Sequence, residues 1–569
     1  MSFRTLTIFA LLCALTACSK ATPPGEVADS IYSGGTIITI DDARPLAEAV
    51  VVKDGRILAV GALDEVSRFV GESTQSIDLD GKTMLPGFVD SHGHVFAIGS
   101  QELSANLLPP PDGPGQDIAA LETELADFAA TDTGPFAKLG WIVGFGYDDS
   151  QLAEQRHPTR DELDAVSTDR PVLIIHQSGH LGVANSLALE LAGITAATGN
   201  PPGGVIRRRA GSMEPNGVLE ETAFFRVIGV LGARFDDEVN RAFVLEGARA
   251  AARYGYTTAQ EGRASADSVL AMQKVADTDG LPIDVVAYPD VLTTGEVNPT
   301  PDYTNRFRVG GVKLTIDGSP QGKTAWLTEP YHVVPDGLPA DYRGYPAVDE
   351  ETTFTAIEKA FANGWQVLVH ANGDAAIDSM IAAVRAARDK YPGVDNRPVL
   401  IHGQTLRADQ VGQLKALDIF PSLFPMHTFY WGDWHRDSVL GPDRAENISP
   451  TGWLRAEDMI FGTHHDAPVA LPDSMRVLSA TVTRRTRSGA VLGPEHRVDV
   501  MTALRAMTIW PAWQHFEEDD KGSIEVGKVA DFVILSANPL AVPEAELADI
   551  DVIETIKGGE SVYRLDADN

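Results

Sequence analysis

His92 and His94 stand two residues apart in Val89-Asp90-Ser91-His92-Gly93-His94-Val95-Phe96, directly after the apolar stretch Leu85-Pro86-Gly87-Phe88-Val89. Residues two apart on an extended strand share a face, so both imidazoles can grip one cation. The same spacing also suits two solvated loop histidines, and the pair alone does not choose between these readings. Four further residues follow in the same kind of place. His370 closes Trp365-Gln366-Val367-Leu368-Val369, and His402 closes Pro398-Val399-Leu400-Ile401. Asp466 follows Met459-Ile460-Phe461-Gly462 and Thr463-His464-His465, and Lys313 lies within the run 309–317. Each sits in or just beyond a short, β-branched apolar run of buried-strand type. Bland readings exist for each. A histidine at a strand end can be a core residue bonded to backbone, Lys313 can pair with Asp317, and Asp466 can cap a helix opened by Ala467-Pro468.

The elements needed to bring these residues together can be read from the alternation around them. Strand-like runs at 84–89, 256–261, 283–288, 312–317, 366–370, 399–402, 419–423 and 459–466 are separated by helical stretches such as 351–363 and 375–390. Eight such units predict an α/β chain folded as a (β/α)8 barrel over 84–520, whose chemistry gathers at the carboxyl ends of the strands. The candidate ligands then fall on strands one, four, five, six and eight. The stretch 95–255 is too long for a single crossover and is expected to be an insertion roofing that face. His180, after Gly179 within it, is a candidate substrate contact, and Trp431, Trp434 and His435 after strand seven are candidate pocket lining. The segments 31–83 and 521–569 are strand-like and turn-rich, and are expected to combine into one small β-domain.

The amino terminus carries its own signal. Arg4 precedes an apolar stretch from Leu6 to Leu15 that is shorter than the roughly 20 residues of a membrane span. Its end, Leu15-Thr16-Ala17-Cys18, resembles a bacterial lipobox, giving a signal peptide at 1–17, a lipidated Cys18 and a tether at 18–30. An ordinary secretory signal is the alternative. Ser19 after the cysteine favours the outer membrane, so the expected location is an exported lipoprotein facing the periplasm. The only other cysteine, Cys13, lies inside the signal, which leaves a mature chain without thiolate ligands, so any metal is held by N and O donors. A net charge of −34 argues against nucleic acid or an anionic membrane surface as partner.

The ordered set His92-x-His94, Lys313, His370, His402 and Asp466 resembles the metal-dependent amidohydrolase superfamily. Three segments are similar to its N-substituted formamide deformylase subgroup: Gly144-x-Gly146-Tyr147-Asp148, Gly179-His180 with Asn185-Ser186-x-Ala188-Leu189, and His370-Ala371-Asn372-Gly373-Asp374. The resemblance implies that the two chain ends form a β-sandwich beside a barrel holding one or two divalent ions, usually zinc. It implies that His92 and His94 bind the buried ion and His370 and His402 the outer one. Lys313 would bridge them as a carbamate formed with carbon dioxide, and Asp466 would serve as ligand, base and acid. The implied reaction is hydrolysis of a non-peptide C–N bond in a small N-formyl, N-acyl or cyclic amide by metal-activated hydroxide. A mononuclear deaminase or phosphoester hydrolase on the same barrel, and a non-catalytic surface lipoprotein, are the alternatives. Thr463-His464-His465-Asp466 departs from the usual Gly-Ser-Asp, and the extra imidazole could bind metal, touch substrate or face away.

Overall fold

The computed structural model describes residues 27–565 except 294, 296, 297 and 336, so the signal segment, Cys18 and most of the tether lie outside the described residues. Both chain ends enter one eight-stranded sheet. Its path runs Glu560–Arg564, Val552–Lys557, Phe532–Leu535, Thr83–Pro86, Ser30–Ile38, Leu46–Lys53, Arg56–Gly61, with Gln75–Asp78 beside Ser30–Ile38. Thr83–Pro86 and Phe532–Leu535 pair antiparallel, Leu85 opposite Val533, and join the two halves. The Lys53-Asp54-Gly55-Arg56 turn has φ of 48° at Asp54 and 73° at Gly55, the left-handed pair that a tight hairpin requires. Both ends therefore share a single sheet.

The parallel strands also fall where the alternation put them, in two ladders. One contains Phe88–Val89, Tyr256–Ala264, Asp284–Pro289 and Phe307–Val309. The other runs Gly311–Thr315, Gln366–Ala371, Val399–His402, Phe420–Leu423 and Gly462–Thr463 in that order. Among the described residues a single parallel bridge, Asp290 with Lys313, connects them. Neither sheet closes among the described residues. On the far side Val89 N donates to Met507 O and Thr463 N to Ala506 O, both at 2.9 Å, so the segment Ala506-Met507 stands between the outermost strands. The run 84–89 is also divided. Its first half belongs to the terminal sheet, and only Phe88–Val89 joins the ladder, because the chain turns at Pro86-Gly87. A Cβ on Gly87 would stand 2.3 Å from the Thr257 side chain.

The stretch between Val89 and Tyr256 builds its own six-stranded sheet, ordered Gly204–Arg208, Pro215–Glu221, Leu181–Ala184, Val172–His176, Ile142–Tyr147, Ala105–Asn106. It has separate apolar cores, one around Trp141, Phe224 and Phe243 and another around Tyr147, Leu163 and Ile174. Two helices, Val95–Glu102 and Asp237–Arg253, carry the chain out to it and back. Their backbones nearly touch. A Cβ on Gly99 would lie 1.8 Å from Phe243 O, and one on Gly247 1.9 Å from Val95 O. Because the obstacle is backbone, it cannot swing aside. Gly247→Ala is therefore expected to cost about 3 kcal/mol, the upper end for overpacking, as a fall in the urea midpoint at unchanged slope.

Candidate active site

The ligand-type residues are spaced by register. Across the second ladder Thr315 is opposite His370, Ala371 is opposite His402, and Leu423 is opposite Thr463, so Lys313, His370, His402 and Asp466 emerge at one end of the strands. The first ladder brings His92 and His94 to the same place just beyond Phe88–Val89. There His92 Nε2 is 3.0 Å from Lys313 Nζ and 3.4 Å from Asp466 Oδ1, and His94 Nε2 is 3.3 Å from the same oxygen. His402 Nε2 is 3.2 Å from His370 Nδ1 and 3.9 Å from Asp466 Oδ2. All six residues predicted as ligands thus converge. His402 and Asp466 hold φ of 73° and 51°, left-handed conformations that non-glycine residues adopt at a cost and that cluster at functional sites.

The hydrogen bonds behind three of the imidazoles aim a nitrogen inward. His92 Nδ1 is 2.6 Å from Gln260 Oε1, an acceptor that fixes the proton on that nitrogen and leaves the Nε2 lone pair facing Lys313 and Asp466. His370 Nε2 is 3.2 Å from Gly318 O, so Nδ1 is its inward atom. His402 Nδ1 is 3.1 Å from His464 Nε2, and His464 Nδ1 reaches Ser422 Oγ at 2.8 Å, leaving His402 Nε2 inward. Glu261 stands behind His94, 3.8 Å from Nδ1. Burial, with neighbouring cations adding to it, keeps His92, His370, His402 and His464 well below the usual imidazole range, so they stay neutral. His94 is the exception: against the cost of burial, the Asp466 and Glu261 carboxylates raise it to about 9.

Lys313 is 1 % exposed, and burial brings its amine down to about 7. It does not pair with Asp317. That carboxylate accepts backbone N–H groups from Trp326, Asn372 and Gly373 at 3.0, 2.9 and 2.7 Å. Nor does Asp466 cap a helix, because the residues after it form a turn. Inward lone pairs on the neutral imidazoles of His92, His370 and His402, a carboxylate, and a lysine amine half of which is uncharged near neutral pH form a donor set that fits divalent cations. Gln260→Leu should weaken that grip by about 10- to 100-fold in metal affinity, read by competition with a chromophoric chelator.

Other predicted residues sit differently. His180 pairs with Glu221, Nδ1 to Oε2 3.1 Å, and lies close enough to Asp466 and His370 to interact with them electrostatically. Trp431 donates to Asp148 Oδ2 at 2.9 Å, Trp434 to Gln321 O at 3.1 Å, and His435 Nε2 is 2.9 Å from His427 Nδ1. His465 turns away towards Asp90, its Nδ1 accepting from Ala467 N. Asn185 is a structural residue: it caps the helix Ser186–Leu191 by accepting from Ala188 N at 2.9 Å.

Comparison with known proteins agrees with this arrangement. A model of the amidohydrolase family matches residues 75–563. The chain belongs to the amidohydrolase family. It is 29 % identical over 553 residues to a putative amidohydrolase, YtcJ, of Bacillus subtilis, covering 94 % of this chain and 99 % of that one. To an N-substituted formamide deformylase of Arthrobacter pascens it is 26 % identical, covering 95 % and 99 %. An uncharacterized metal-dependent hydrolase from Pyrococcus horikoshii superposes with a TM-score of 0.72 at 24 % identity, covering 91 % of this chain and 99 % of that one. This amidohydrolase therefore has a TIM-barrel-like α/β fold, and it is a metal-dependent hydrolase.

Proposed function

We propose that this amidohydrolase cleaves a non-peptide C–N bond of a small N-formyl, N-acyl or cyclic amide, with all six converging residues in its machinery. The convergence of His92, His94, Lys313, His370, His402 and Asp466, through the contacts given above, carries the reading. His92 and His94 would hold one divalent ion with Asp466, and His370 and His402 a second, with Lys313 as a carbamate between them. Bound there, such ions, zinc by family habit, supply a polarised carbonyl and a water whose pKa falls to about 7. The protein supplies the proton transfers. Asp466 takes the proton of the attacking water and returns it to the leaving nitrogen. His464 and Gln260 keep the inward nitrogens of His402 and His92 unprotonated, and Glu261 backs His94.

The deformylase relative names N-formyl amines as the first substrates to try. Purified enzyme should release formate or a carboxylate from N-formyl and N-acyl amines, lose the activity on chelation, and regain it with zinc. Activity unaffected by thorough chelation, with no metal by elemental analysis, would sink the proposal. For the closed barrel, the terminal sandwich and the Cys18 anchor the support is sequence pattern and family likeness. A Cys18→Ser chain released from the membrane fraction would establish the anchor.

A further inference from the structure

Within the inserted sheet, a second group of ligand-type side chains gathers where Ile142–Tyr147 and Val172–His176 end side by side. His176 Nε2 is 3.2 Å from Asp149 Oδ1 and 3.6 Å from Asp148 Oδ1, and His157 Nδ1 is 3.5 Å from Asp149 Oδ1. The ligand atoms of Asp148, Asp149 and His176 all lie within 4.8 Å of one another. The His176 side chain is only 8 % exposed, and its Nε2 makes no hydrogen bond although it points at two carboxylates. These separations exceed the roughly 2.7–2.9 Å of a charge-assisted N–H···O bond. They match the edge of a tetrahedron of donors, about 3.4 Å when each sits about 2.1 Å from a central ion. The candidate active site has the same spacing, 3.3 and 3.4 Å from Asp466 to its two histidines.

We propose that Asp148, Asp149, His176 and His157 form a second divalent-cation site, separate from the catalytic cluster and suited to a metal of the zinc or manganese kind. Two carboxylates and two imidazoles give a neutral site when a doubly charged ion is bound, so the buried charge is balanced. The ligands are held ready. Asp148 accepts from Trp431 Nε1 through Oδ2 and from Ser150 N and Oγ through Oδ1, at 2.9, 3.0 and 2.7 Å. His176 Nδ1 accepts from Ser178 N at 3.0 Å and is 2.9 Å from Ser178 Oγ, so a neutral His176 carries its proton on Nε2 and an ion bound there takes that proton's place. His157 Nδ1 is also 3.2 Å from Tyr147 Oη, a hydroxyl that holds the ring beside Asp149. Because Trp431 belongs to the helix Met426–Trp434, which follows the Phe420–Leu423 strand, an ion here would fasten the inserted sheet to the catalytic half.

The competing occupant of this geometry is a proton on His176 Nε2, and a metal count separates the two. Full-length protein, equilibrated with zinc chloride or manganese chloride and freed of excess ion, is assayed by elemental analysis alongside His176→Gln and Asp149→Asn. Each variant should hold one ion per chain fewer than the wild type. A His92→Ala/His94→Ala chain, in which the inserted sheet is untouched, should keep an ion that adding His176→Gln removes. Equal metal content in wild type, His176→Gln and Asp149→Asn would overturn the site, as would a His92→Ala/His94→Ala chain whose metal content His176→Gln leaves unchanged.

Discussion

Asp466→Asn is expected to lower kcat by about 10³- to 10⁴-fold while KM moves little, since a positioned acid and base contributes up to that much. The substitution keeps an oxygen near His92 Nε2 and His94 Nε2, which now face Oδ1 at 3.4 and 3.3 Å, so metal should remain bound. What it removes is the acceptor for the water proton and the donor for the leaving nitrogen. Both steps fall to one carboxylate because, among the described residues, the acids nearby are engaged elsewhere, Glu261 with Phe96 N and His94. Asp90 is turned to the His92 and Gln260 backbone amides, and Asp317 to three others. A variant turning over within tenfold of wild type would move the proton to another group, with Glu221 beside His180 the next to replace.

The positions of these residues could be read from the chain because each follows a hydrophobic run that can only be a buried strand, and parallel strands deliver their carboxyl ends to one face. The residues that support them could not. Gln260 and Glu261 lie inside a strand whose apolar neighbours Tyr256 and Ala259 give no hint that alternate side chains reach His92 and His94 from the next strand. The place of His464 before Asp466 allows it three roles. Only the cross-strand distance to His402 makes it a hydrogen-bond partner behind the site. The run 84–89 reads as one strand in hydropathy, yet Gly87 lets the chain leave one sheet for another. That change of partner depends on Thr257, far away in sequence. Local pattern gave strand ends, while pairing, closure and second contacts belong to the assembled molecule.

Lys313→Met should cost about as much activity as the loss of Asp466, and through a different property. The amine lies 3.0 Å from His92 Nε2 in a buried pocket, where a bare ammonium would repel a divalent ion. Reaction with carbon dioxide turns it into an anion, but only the uncharged amine can react. At an ordinary lysine pKa of about 10.5, roughly one molecule in 3000 is uncharged at pH 7. Burial brings Lys313 down to about 7, so about half are. The sign follows directly: at fixed dissolved carbon dioxide, reactivation of metal-stripped enzyme by zinc should be fast above pH 7 and fall about tenfold for each unit below it. With ¹³C-labelled bicarbonate, the wild type should show a carbamate carbonyl resonance that Lys313→Met lacks, together with fewer ions per chain. If methionine at this position left metal content and turnover intact, the lysine would be a packing residue and a one-ion mechanism would take its place.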